Sequence, residues 1–153
     1  MSDQSRKRPA HYPPVEYQNR SVILFVTVCA YQRRRIMASE EVRAALLQAW
    51  NEADHWHVGR YVIMPDHIHL FCSPARHDAA SVSKWTAYWK RRVSQLCTEL
   101  QPLWQRDCWD TQLRPNDSYH EKWNYVGNNP VRAGLVRCAD DWPFQGVVHH
   151  LVW

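Results

Sequence analysis

Residues 57–73 constrain this chain most: two β-rich runs, His57 to Met64 and His67 to Ser73, flank the dipeptide Pro65-Asp66. Proline presets a turn dihedral and aspartate bonds nearby backbone, so the stretch predicts a tight antiparallel hairpin. In the second strand, a period of two places His67 and His69 on one face and Ile68, Leu70 and Cys72 on the other. One face is thereby committed to an apolar core, and the other carries two adjacent imidazoles. That pair has two readings: half-buried histidines bonded to backbone, or chelators of one metal ion.

The remaining elements follow from periodicity and caps. Arg20 to Ala30 is β-branched and aromatic and predicts a buried strand, with Arg33, Arg34 and Arg35 in a basic exit loop. Ser39 is a natural N-cap, Glu40 and Glu41 suit a first helical turn, and Val42, Ala45, Leu46 and Trp50 make an apolar stripe. A second helix is predicted over roughly 79–100, its stripe formed by Val82, Trp85, Trp89, Val93, Leu96 and Leu100. Asp107 to Arg114 reads as a short fourth strand. Ser118 and Glu121 form a capping box for a third helix, which Pro130 should stop by Asn129. The order β-α-β-β-α-β-α predicts an α+β fold, a ferredoxin-like antiparallel sheet with helices packed on one face. The expected organisation is a flexible basic arm over 1–16, one domain over 17–146 and a C-terminal tail over 147–153.

Composition narrows the function. At 153 residues, 45% hydrophobic and 22% charged, the chain reads as one ordinary globular domain. The longest apolar run, Val22 to Cys29, is too short to span a bilayer, and no apolar leader follows the polar N-terminus, so a cytoplasmic protein without a membrane partner is expected. The closest two of the five cysteines, Cys97 and Cys108, lack C-x-x-C spacing, which argues against a zinc site or disulfide framework. A net charge of +4 permits an anionic partner. The nine tryptophans suit a large core, although exposed aromatic surface also stacks unpaired bases. Lys84, Tyr88 and Arg91, with Arg92 beside them, mark a basic face on the second helix opposite its apolar stripe. Together with Arg33, Arg34, Arg35 and the arm residues Arg6, Lys7 and Arg8, they are candidate contacts to the phosphates of an anionic partner.

On the third helix Tyr125 and Asn129 stand four residues apart, one turn from each other. A hydroxyl and an amide oxygen would then face one way; equally, Tyr125 would serve as a core aromatic and Asn129 as a helix C-cap. Tyr119 is a second tyrosine at the start of the same helix.

Met64-Pro65-Asp66-His67-Ile68-His69, followed by Tyr125-Val126-Gly127-Asn128-Asn129-Pro130-Val131-Arg132-Ala133-Gly134-Leu135-Val136, resembles the REP-associated tyrosine transposases of the HUH single-tyrosine superfamily. Phe25-Val26-Thr27-Val28 leading into Gln32-Arg33-Arg34-Arg35, and Asp141-Trp142-Pro143-Phe144, agree in order and spacing, so the resemblance covers roughly residues 17–146. It implies a divalent ion, Mg²⁺ or Mn²⁺, held by His67 and His69 with Asn129 as third ligand. It also implies attack by Tyr125 on single-stranded or hairpin DNA, giving a 5′-phosphotyrosine link and a free 3′-hydroxyl. Lys122, one turn before Tyr125, would favour the phenolate, and Tyr119 is the competing candidate. Val126 stands where the family commonly has isoleucine, and Gly127 loosens the helix there. Two other functions fit the same residues: a noncatalytic hairpin binder, and a metal-dependent phosphoesterase using water. The resemblance allows a monomer or a homodimer.

Overall fold

The hairpin predicted around Pro65-Asp66 is the centre of the sheet. In the computed structural model, which describes residues 22–113 and 118–152, β1 (Leu24–Ala30), β2 (Trp56–Ile63), β3 (His67–Pro74), β4 (Trp104–Gln112) and β5 (Gln145–Val147) form one sheet in the order β4-β1-β3-β2-β5. Every neighbouring pair is antiparallel, and the Met64 amide closes the hairpin onto the His67 carbonyl at 2.8 Å. The arm with Arg6, Lys7 and Arg8 lies outside the described residues.

Strand alternation sorts the side chains into two cores. Leu24, Val26 and Val28 of β1 and Ile68, Leu70 and Cys72 of β3 point to one face, where α1 (Glu40–Glu52) and α2 (Val82–Leu96) cover them. Both helices begin where a serine caps them: Ser39 Oγ accepts from the Val42 amide and Ser81 Oγ from the Lys84 amide. The second helix is therefore shorter than its apolar stripe suggested. Ala79 and Ala80 precede the cap, and after Cys97 the chain tightens into a separate 3-10 turn, Thr98–Leu100. Five of the nine tryptophans pack here, Trp56 among them, and Trp50, Trp85, Trp89 and Trp104 meet edge to face with centroids no more than 6.0 Å apart. Indole N–H groups of Trp85 and Trp104 donate to the Ala53 and Lys90 carbonyls.

The third helix, α3 (Tyr119–Gly127), is capped by Ser118 as its capping box requires. Two helices cover one face as expected, and α3 crosses the other. The reason is that Ile23, Val62 and Phe71 make a second apolar patch on the histidine face, which Trp123 and Val126 bury. Asn128, not Asn129, caps α3, and Asn129 opens a separate four-residue turn, α4 (Asn129–Arg132), with Pro130 in its first turn. β4 starts at Trp104, three residues before the predicted Asp107.

The C-terminal segment extends the sheet. β5 pairs with β2, Gln145 opposite Val62, and the Val148 and His149 amides continue to the Gly59 and Val58 carbonyls. Leu151 then packs into the second core. Gly59 is required at this crossing, because a Cβ there would lie 2.6 Å from both Leu151 Cδ1 and the Tyr119 hydroxyl. Among the described residues no helix is long and apolar enough to cross a membrane.

Candidate functional site

His67 and His69 share one face of β3 because they are two residues apart, and their ring centroids lie 4.7 Å apart. Each ring is held by its δ nitrogen. His67 Nδ1 donates to Asp66 Oδ1 at 2.7 Å, and Arg33 fixes the other carboxylate oxygen at 3.0 Å. His69 Nδ1 is bonded to Thr27 Oγ1 at 2.8 Å, and its ring stacks on Phe25. Both Nε2 atoms remain without a hydrogen-bond partner among the described residues, and bracing an imidazole through Nδ1 in this way leaves Nε2 open to a metal. Burial works against ionised Asp66, but the bonds from His67 and Arg33 bring its pKa below the ordinary value.

His69 is the more buried of the pair. Burial first, then the charges of His67, Lys122, Arg132 and Arg33, push its pKa down from 6.5 to about 3. It is therefore neutral, as a metal ligand must be. The linkage to stability has a definite sign: as pH falls from 6.5 toward 3, the unfolded chain takes up a proton that folded His69 refuses. Stability from this residue is thus present above pH 6.5 and lost toward pH 3, with a slope of up to about 1.4 kcal/mol per pH unit. Denaturant unfolding at pH 7 and pH 5 should show the loss, and His69→Gln should flatten it.

Across from the histidines stands α3. Tyr125 is 65% exposed and borders an open groove of about 660 Å³, whose walls include Phe25, Thr111 and Lys122. Lys122 Nζ lies 5.1 Å from the Phe25 ring centre, which places it over the ring that stacks on His69. Arg132 is a member of the site that sequence reasoning left without a role. Its guanidinium lies 4.0 Å from the Tyr125 ring centre, Nη1 donates to the Tyr125 carbonyl at 2.8 Å, and Nη2 donates to Asn129 Oδ1. One side chain thus ties the tyrosine to the asparagine across the break between α3 and α4. Asp66 and Thr27 were also missed as positioning groups; only the adjacency of Asp66 to His67 hinted at it.

Tyr119 is a packing group. Its hydroxyl accepts from the Arg60 amide at 3.0 Å, its ring meets Phe71 at 5.0 Å, and burial raises its pKa. Its hydroxyl is thus engaged in the second core, whereas Tyr125 borders the open groove. Tyr119→Phe should cost about 1 kcal/mol of stability through the lost hydrogen bond, read by denaturant unfolding, and leave any covalent DNA chemistry at its wild-type level.

The basic candidates divide. Arg33 is engaged with Asp66, and Arg34 donates to the Pro102 carbonyl at 2.8 Å, so both brace the loop; Arg35 is exposed. Arg92 is not a free cation, because it bonds Glu52 at 2.8 Å and ties α2 to α1. Lys84, Tyr88 and Arg91 are exposed, with Arg91 6.0 Å from the Tyr88 ring centre. They ride on α2, across the sheet from the histidines, so they do not line the site around Tyr125.

Among the described residues there is no cluster of three or more His, Cys, Asp or Glu side chains fit to hold a metal. What this face offers is the two neighbouring imidazoles of His67 and His69. Fold and site together define an antiparallel α+β domain whose central strand presents two imidazoles on the face crossed by a tyrosine-bearing helix.

No family model matches the chain. Its sequence is 27% identical over 131 residues to a REP-associated tyrosine transposase of Escherichia coli (strain K12), covering 86% of this chain and 72% of that protein. It is also 27% identical over 95 residues to a Haemophilus influenzae protein provisionally given the same name, covering 54% of each. In fold it matches a solved REP-associated tyrosine transposase bound to a REP hairpin, with a TM-score of 0.69 at 24% identity over 81% of this chain and 75% of that one. The chain is a homologue of the REP-associated tyrosine transposases, as its motifs imply.

Proposed function

We propose that this chain is a transposase-like, metal-dependent single-stranded DNA endonuclease and strand transferase, acting at hairpin or palindromic elements through a covalent 5′-phosphotyrosine on Tyr125. One observation carries the reading: an exposed tyrosine, gripped by an arginine on its ring face, stands on the helix that crosses the face where two imidazoles offer unbonded Nε2 atoms. Hairpin DNA as substrate is supported by the relative solved with a REP hairpin.

His67 and His69 would hold a divalent ion, Mg²⁺ or Mn²⁺, with Asn129 Oδ1 as third donor once Arg132 releases it. Such an ion polarises a phosphate and neutralises developing charge. The chain's own groups do the rest. A phenol ionises near pH 10 and is a weak nucleophile at neutral pH. Arg132 against the ring, with Lys122 on the preceding turn, supplies positive charge where the phenolate and the attacked phosphate must both sit. Tyr125 Oη forms the new bond to phosphorus, the bond to the 3′ oxygen breaks, and that oxygen leaves as a 3′-hydroxyl. Because one phosphodiester replaces another, the reverse step rejoins a strand without ATP.

The test is incubation of the protein with labelled single-stranded hairpin oligonucleotides and Mn²⁺, resolved on a denaturing gel. A metal-dependent, slowly migrating protein–DNA band is expected. Cleavage without that band would instead make water the attacking group, and hairpin binding without product would make the chain a noncatalytic binder.

A further inference from the structure

We propose that Trp109 is the stacking platform for an unpaired base of the DNA strand engaged at Tyr125. This rests on the proposed function and adds a subsite to it.

The argument begins with where the tryptophans go. Trp50, Trp56, Trp85, Trp89 and Trp123 are buried, and Trp104 and Trp142 are half-buried with their indole N–H groups donating to the Lys90 and Ile63 carbonyls. Trp109 alone among the described tryptophans is exposed, at 39%, and its indole donates to no described group. A single exposed aromatic is ordinary by itself. Its register is not. Thr27 lies directly opposite His69 on β3 and directly opposite Trp109 on β4. Residues opposed across antiparallel strands share a face, so Trp109, Thr27 and His69 form one row across three strands. With strands spaced about 4.8 Å apart, Trp109 stands roughly 10 Å from His69 on the same open surface.

The next row continues the path. Phe25 lies opposite Thr111 of β4, and both line the groove that reaches Lys122 and Tyr125. A strand leaving Tyr125 along this groove therefore passes Thr111 and arrives at the Trp109 ring, on a sheet edge that no other strand among the described residues covers. Charge favours this occupant and orients it. Lys122 and Arg132 are cationic at the Tyr125 end, whereas Asp107 is exposed two residues before Trp109. Phosphates belong toward Lys122, and at Trp109 the contact available is the flat face of a base. Aromatic stacking of this kind tolerates any base identity, so the platform positions the strand rather than reading its sequence.

The experiment uses hairpin oligonucleotides with 2-aminopurine placed in turn at each unpaired position beside the hairpin, titrated with full-length protein without metal. Stacking should quench one position. Trp109→Ala should abolish that quench and weaken binding about tenfold, and Trp109→Phe should retain most of both. Unchanged affinity and an unchanged quench profile in Trp109→Ala, with the wild type still forming its covalent band, would overturn the platform while leaving the function intact. If the wild type forms no band with any hairpin, the function fails, whereas a quench that depends on Trp109 would still establish the platform.

Discussion

Replacing Tyr125 by phenylalanine is expected to abolish covalent capture of DNA while leaving the fold and hairpin affinity close to wild type. The structure separates these effects cleanly. The Tyr125 hydroxyl makes no hydrogen bond among the described residues, and its side chain is largely exposed, so removing one oxygen leaves no buried donor or acceptor unpaired. The contact with Arg132 is to the ring, 4.0 Å from its centre, and phenylalanine preserves that face. Stability should change by less than about 0.5 kcal/mol, as for most surface substitutions. Chemistry, by contrast, loses the proposed nucleophile, and Tyr119 is not expected to stand in because its hydroxyl is bonded to the Arg60 amide within the second core. The measurement is adduct yield on a denaturing gel beside a binding isotherm on the same oligonucleotide. An undiminished adduct in Tyr125→Phe would refute the assignment, and undiminished cleavage without adduct would establish water as nucleophile.

What was legible in the sequence was legible because it is local. The alternation at His67-Ile68-His69 fixes which side chains face the core, and Ile68, Leu70 and Cys72 are fully buried. The serines that cap α1 and α3 act within three residues of themselves, so Ser39 and Ser118 were readable. The start of α2 was not, because an alanine pair ahead of Ser81 extends helical propensity beyond the cap. β4 begins with Trp104, Gln105 and Arg106 on an edge, where solvent accepts any residue and no alternation is imposed. β5 is three residues of tail whose pairing depends on the exposed edge of β2. The site followed the same division. Types and spacing exposed the histidines and the helix tyrosine, but the bonding of Arg33 to Asp66, of Arg92 to Glu52 and of Arg132 to Asn129 depends on long side chains choosing partners in three dimensions.

Removing the histidines is expected to separate metal binding from DNA binding. His67→Ala should eliminate measurable Mn²⁺ binding and, with it, the metal-dependent adduct, because two imidazoles are the nitrogen donors this face provides and one alone is a poor anchor for a hard ion. His67 is the better probe of the two. His69 stacks on Phe25 and bonds Thr27, so its loss also disturbs packing and leaves a half-buried hydroxyl without its partner. Asp66→Asn provides the graded comparison: the ligand stays, but the acceptor that fixes its tautomer and the anchor for Arg33 are altered. Loss of such a positioning partner typically costs about 10- to 100-fold in metal affinity or activity, well short of losing the ligand itself. The order wild type, Asp66→Asn, His67→Ala should therefore appear in Mn²⁺ affinity followed by electron paramagnetic resonance and again in adduct yield. Metal-free hairpin affinity should stay level across all three, since none of these side chains carries a charge that DNA phosphates need. Wild-type adduct formation in His67→Ala, or an adduct that persists in excess chelator, would show that the histidine pair serves the fold and that the phosphate is activated by the cations around Tyr125 alone.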